Sequence, residues 1–292
     1  MHTQPAPPIF LARASLAAVL LLLLAPSPSA HAHPGLDERI AQLTLQLTAQ
    51  PTNAALLLQR ADFYRQHEQF DAAFADLSKA EQRQPCSTAV LLARARVFSD
   101  AGQTTNALAA VQQFIATATN NASAFVLRAR CRLKLNEVSA AVADYNLALK
   151  KTLTPDPDLW LERARAQAAL GQFASAVRGL DEGRARIGEV PTLQLAAIEY
   201  ERQGAEFGAA LARVDKLTAQ HPGNESWQVL RGEILAQAGR LAEAREVFQQ
   251  ALTEIENYPP ARRGLEQTIQ LQTRARAGLA RAEIRIVLQS KP

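Results

Sequence analysis

Two arginines flank one alanine at Arg94-Ala95-Arg96, and the triplet returns at Arg128-Ala129-Arg130 and Arg163-Ala164-Arg165, with 34 and then 35 residues between the alanines. The register extends in both directions. Ala61 precedes the three alanines, and Ile198 and Gly232 follow them, so that six units start at Ala54, Thr88, Ala122, Pro157, Pro191 and Glu225. A repeat of this length holds one supersecondary unit, and one such unit cannot bury its apolar face alone. The chain is therefore predicted to stack like units side by side, each covering the face its neighbour leaves open.

Within a unit the pattern is that of two short helices. Twelve residues after the first small residue comes a second, at Ala73, Ala107, Ala141, Ala176, Ala210 and Ala244. Small residues on facing helices let the backbones approach and the larger apolar neighbours interlock. Between the helices a turn position holds Gly102, Asn136, Gly171 and Gly239, residue types that tolerate a left-handed backbone. Glu68 stands there in the first unit, which is expected to turn differently, and Gly204 lies one place early in the fifth. Phe70, Val138, Phe173, Phe207 and Leu241 restart the apolar stripe, and Pro85 and Pro222 close units where a helix should stop.

This pattern resembles the tetratricopeptide repeat. Residues 54–85 match it most fully, with Leu57, Ala61, Tyr64, Phe70, Ala73, Leu77, Ala80 and Pro85 at the family's large and small positions. The resemblance covers residues 54–258; Arg132 and Glu201 depart from it, standing where the family prefers an aromatic. It implies an all-α fold, a right-handed α-solenoid of stacked antiparallel helix pairs, with a capping helix within residues 33–53 and a second cap with a basic tail over residues 259–292. That second cap is expected to break near Gly278, and its EIRIVLQ segment, residues 283–289, has strand-like composition.

The resemblance also implies that positions two, five, nine, twelve and thirteen of each unit face a concave groove. Position five is apolar throughout, at Leu58, Leu92, Val126, Leu161, Leu195 and Val229: either a rail along the groove or packing between neighbouring first helices. Position nine reads Asp62, Arg96, Arg130, Arg165, Glu199 and Glu233, a basic strip bracketed by acids. Guanidinium groups grip carboxylates through paired hydrogen bonds, so the strip suits an acidic peptide segment or a free C-terminus. Self-neutralisation is the competing reading, with Asp62 or Asp100 on Arg96 and Glu199 on Arg165. Arg130 has no obvious carboxylate and is the natural anchor. The first arginine of each triplet, at position seven, is expected to be structural, reaching Asp76, Asp144 or Asp181 on second helices. The lysine and asparagine of the family's chaperone-tail clamp are absent from positions five and nine.

Residues 15–25, SLAAVLLLLLA, are too short an apolar run to span a bilayer, and small residues at Ala30 and Ala32 follow. Residues 1–32 are expected to be a signal peptide cleaved near Ala32, giving a periplasmic or secreted protein; a membrane anchor left uncleaved is the alternative. The formal charge of +4 is concentrated in the tail, where seven basic residues face two acidic ones from Pro259 onward. An exported chain charged at one end is not expected to bind nucleic acid, although such a tail could meet an anionic membrane. Cys86 and Cys131 are too far apart along neighbouring structure to pair, and the histidines lack metal-ligand spacing. No phosphate loop or nucleophile elbow is present, and no cofactor is implied. The expected function is a scaffold that binds a protein or peptide along its concave face. A membrane-associated assembly factor is the alternative, and an enzyme the less favoured one.

Overall fold

The computed structural model describes residues 35–290, so the leader predicted for residues 1–32 lies outside the described residues. Every regular element among the described residues is helical. A lone helix α1 (Leu36–Ala49) precedes six pairs: α2 (Ala54–Gln66) with α3 (Phe70–Arg83), α4 (Thr88–Asp100) with α5 (Thr104–Thr117), α6 (Ala122–Lys134) with α7 (Val138–Lys151), α8 (Pro157–Ala169) with α9 (Phe173–Ile187), α10 (Pro191–Gln203) with α11 (Phe207–Gln220), and α12 (Glu225–Gln237) with α13 (Leu241–Glu256). A single turn, α14 (Pro260–Arg263), leads into the long α15 (Glu266–Gln289).

The helices start where backbone donors are met. Asn53, Asn121, Asp156 and Asn224 accept from amides of the first turns of α2, α6, α8 and α12. Pro157 and Pro191 open α8 and α10, where a missing N–H costs nothing. Each pair then reverses through one left-handed residue: Glu68, Gly102, Asn136, Gly171, Ala205 and Gly239, with φ between 59° and 77°. The first unit therefore turns like the others, contrary to the expectation from Glu68. In the fifth unit Ala205 takes the left-handed position, while Gly204 keeps a φ of −81°. The fold imposes one turn geometry on six sequences and tolerates the Cβ strain at Glu68 and Ala205.

Packing follows the small residues. Ala73, Ala107, Ala141, Ala176, Ala210 and Ala244 are all fully buried, facing Ala61, Ala95, Ala129, Ala164, Ile198 and Gly232. First helices of neighbouring pairs approach one another (α2 with α4, α4 with α6, α8 with α10), whereas no second helix packs comparably on the next second helix. The row therefore curves, with its first helices on the inner wall. The buried residues fall into blocks. Two small clusters join α1 to α4, the main core runs from Ala95 to Ala197, and a third block runs from Ile198 to Ala282.

The C-terminal cap differs from its prediction. Helix α15 is unbroken, and residues 283–289 are helical. Gly278 sits mid-helix because the Phe248 ring lies where a side chain would go: a Cβ there would stand 2.4 Å from that ring. Gly232 of α12 meets the same ring from the other side, so Phe248 is wedged between two glycines. Leu265 and Ile269 are exposed, while Ala282 is buried.

Candidate functional site: the inner groove

The two arginines of each triplet do different work. Position seven crosses the layers. Arg60 and Arg128 each clasp a buried aspartate through two bonds, to Asp76 at 2.7 and 2.7 Å and to Asp144 at 2.9 and 2.6 Å. Arg94 reaches Glu81, and Arg231 reaches Asp215, each on the preceding second helix. Arg163 takes Glu182 and Asn146 rather than Asp181. Asp181 is instead held by Arg213 and Arg184. The departures at Arg132 and Glu201 are also ion-paired: Arg132 adds a second guanidinium to Asp144, and Arg213 covers Glu201. A carboxylate buried this way depends on its partners, since one left alone would cost several kcal/mol, roughly 3–5.

Position nine lies on the inner wall, and its pairing is not the one expected. Asp62 accepts from Arg65 at 3.0 Å and Gln66 at 2.7 Å, and Arg65 also binds Asp100. Glu199 accepts from Arg202 and Gln203 on its own helix, and Glu233 is taken by Arg274 of α15. None of these acids reaches Arg96 or Arg165. Both arginines are exposed, and among the described residues neither has a hydrogen-bonded or ion-paired partner. Arg130 is the correction in the other direction. It forms a two-pronged pair with Glu162 at 2.6 and 3.0 Å, and Glu162 also accepts from the Tyr145 hydroxyl at 2.8 Å. Burial alone would raise the Glu162 carboxyl, but hydrogen bonds from Arg130 and Tyr145 and the nearby charge of Arg165 hold it below the ordinary carboxylate range. Burial and the same carboxylate push the Tyr145 hydroxyl well above its usual value.

Two recesses open side by side at the N-terminal half of the groove. One, of about 560 Å³, is lined largely by Leu58, Phe63, Leu92 and Ala93. The other, of about 550 Å³, lies between α4 and α6 and carries Arg96, Arg130 and Lys134 with Ser99 and Ser123. Arg96 lines both. The acids at the second recess, Asp62 and Asp100, are already bound by Arg65, and Lys134 donates only to the Ser99 carbonyl, at 3.5 Å. An apolar hollow thus adjoins a cationic one, with an uncommitted guanidinium on their shared edge. The apolar rail has a mixed fate: Leu161 and Val229 are core, Leu58, Leu92 and Val126 are half-buried, and Leu195 is exposed.

The charge of the tail is carried on α14 and α15 and partly spent on the protein. Arg274 pairs with Glu233, Arg262 stacks on Tyr258 and reaches Glu225, and Arg285 donates to the Ala236 carbonyl. Cys86 is exposed and Cys131 buried, both free thiols. Among the described residues no group of side chains could hold a metal ion, and no helix is long and apolar enough to cross a membrane.

A family model described as a tetratricopeptide repeat matches residues 92–156 and 195–262. Those two segments are tetratricopeptide repeats. Solved structures share the fold of this tetratricopeptide-repeat protein at low identity. The C-terminal part of a TPR repeat-containing protein from Cytophaga hutchinsonii aligns with a TM-score of 0.62 at 14% identity, over 81% of this chain and 94% of that one. A tetratricopeptide repeat protein from Parabacteroides merdae aligns with a TM-score of 0.50 at 17% identity, over 82% and 92%. The Pseudomonas aeruginosa pilF structure gives 0.50 at 18% identity, over 82% and 99%. No curated protein matches the sequence. Family and fold together make this tetratricopeptide-repeat protein a scaffold for protein–protein interaction.

Proposed function

We propose that the chain is an exported scaffold that holds an extended peptide segment of a partner protein in the N-terminal half of its groove. The segment presents a large apolar side chain to the hollow of Leu58, Phe63 and Leu92. Beside it, an acidic side chain or a terminal carboxylate meets Arg96, with Lys134 and the outer edge of Arg130 nearby. The observation that carries this reading is Arg96: exposed, unpaired among the described residues, and shared by both recesses. A charge-assisted bond of this kind is worth about 1.5–3 kcal/mol, enough to set affinity in a groove otherwise held by apolar contact.

The test is a fluorescence-anisotropy titration with labelled decapeptides that carry one large apolar residue. The panel has free or amidated C-termini, with and without Asp and Glu. Acidic or free-carboxylate peptides should bind at least about tenfold more tightly than neutral amides, and Arg96→Ala should remove that preference. Neutral amides binding as well as acids, or a preference untouched by Arg96→Ala, would overturn the reading. Export is tested separately by sequencing the N-terminus of the protein recovered from the source cells. A start near His33 is expected, and a chain beginning at Met1 would rule out cleavage. Of the basic residues on which the membrane-facing alternative rests, Arg262, Arg274 and Arg285 are engaged by the protein itself.

A further inference from the structure

Among the described residues no element covers the outer face of helix α15, and that face is not charged. Its inner face buries Thr268, Ala275, Gly278 and Ala282 against α12 and α13. The opposite face carries Ile269, Thr273, Ala277, Ala280, Ile284 and Val287, at spacings of four, four, three, four and three residues, with Leu288 beside the last. All of them are exposed; Ile269, Ile284, Val287 and Leu288 lie between 51% and 63%. This is the spacing of a helix seam that expects a second helix, and no charged residue interrupts it between Ile269 and Leu288.

We infer that this face of α15 pairs, antiparallel, with α15 of a second copy of the chain about a two-fold axis beside Ala280. Three features of the strip point to a copy of itself. Its composition is self-complementary about Ala280. In the antiparallel register Ala277 meets Ile284 of the second copy, Thr273 meets Val287 and Leu288, and Ala280 meets Ala280. Small residues therefore face large ones on either side of the axis, between Thr273 and Leu288, as a self-matching interface requires. The charges along one edge obey the same centre. Arg276 and Glu283 share that edge, seven residues apart and astride Ala280, so each arginine falls beside the glutamate of the other copy. Glu283 has no partner among the described residues, and Arg276 has only a loose one, Glu256 at 3.9 Å. On the other edge Arg274 and Arg285 are turned back onto α12, and Arg281 lines the cavity between α12 and α15, which Ile284 also borders from the edge of the seam.

The strip is modest in size. Ile269 to Leu288 spans about 28 Å, and a helix about 12 Å wide offers a footprint on the order of 350 Å² per copy. The total of about 700 Å² is below the roughly 1,000 Å² that a stable interface clears, so the proposed dimer is a weak and transient one.

Disulfide trapping tests the register. In a Cys86→Ser background, Ala280→Cys places two thiols beside the axis, within the roughly 7 Å between Cα atoms that a disulfide requires. Gln270→Cys places them about 30 Å apart by helical rise. Mild oxidation of the full chain should give mostly cross-linked dimer with Ala280→Cys and monomer with Gln270→Cys. Equal cross-linking of both, or of neither, would overturn the proposal. Sedimentation of the uncrosslinked protein is the second measurement. Ala280→Glu should shift it to monomer with unchanged helicity; Arg276→Glu should weaken association, and adding Glu283→Arg should restore it. A monomeric parent at about 100 μM, or a charge swap that restores nothing, would equally overturn it. So would a parent that stays monomeric yet captures another protein through this face.

Discussion

Glu68 and Ala205 hold left-handed backbone positions that glycine or asparagine fills in the other four turns. An L-residue there costs roughly 1–2 kcal/mol, and glycine recovers most of that at an entropic cost of about 0.5–1 kcal/mol. Ala205→Gly should therefore stabilise the protein by about 0.5–1 kcal/mol, and Gly102→Ala should destabilise it by a similar amount, both read from thermal or urea melts. The Arg130–Glu162–Tyr145 cluster gives a pH-dependent prediction. The folded Glu162 carboxyl titrates below the value of 4.5 that it has free, so its contribution is present above that value and is lost as pH falls through the folded one. The destabilisation caused by Glu162→Gln should be largest at about pH 7 and should shrink as pH falls through the folded value, where the parent loses the same charge. At this scale the sequence reading was least complete. It placed Asp62, Arg96, Arg130, Arg165, Glu199 and Glu233 along one line, but which acid meets which arginine depends on side-chain reach across layers. Positions twelve and thirteen of the first two units, Arg65 and Asp100, held the missing signal: their mutual pair takes up the acid that Arg96 would otherwise have met. Glu162 lies at position six, outside the groove positions the family pattern implies, so only the coordinates bring it to Arg130.

For single elements, periodicity was an accurate guide where the unit repeats and a poor one where it ends. Helix pairs follow from facing alanines and a turn residue, and six copies of that signal reinforce one another. Helix α15 has no second copy to compare with. Gly278 and the β-branched run after it read locally as a break, and tertiary packing overrode both. The wedge of Phe248 between Gly232 and Gly278 makes this testable. Gly278→Val forces a branched side chain into the ring and should cost at least about 1–3 kcal/mol, the usual penalty for overpacking. Because the clash falls on the cap alone, hydrogen exchange should quicken in α15 and α13 before it does in α6. Uniform change along the chain would argue that the cap and the array fold as one unit.

For the molecule as a whole, each pair rests on its neighbours and on little else, the condition under which stability adds up unit by unit. The buried residues also divide into blocks, with seams in α4 and between Ala197 and Ile198 in α10. Urea unfolding should consequently depart from a single two-state transition, with tryptophan fluorescence of Trp160, in the main core, and Trp227, in the last block, reporting different midpoints. Coincident midpoints for the two would refute the division. The first seam also bears on the groove. Leu58 and Phe63 stand on one side of it, Arg130 and Lys134 on the other, and Leu92 and Arg96 ride on the helix through which it passes. A guest lying from Leu58 to Lys134 would bridge that seam, and its arrival would be felt as added stability on both sides of it.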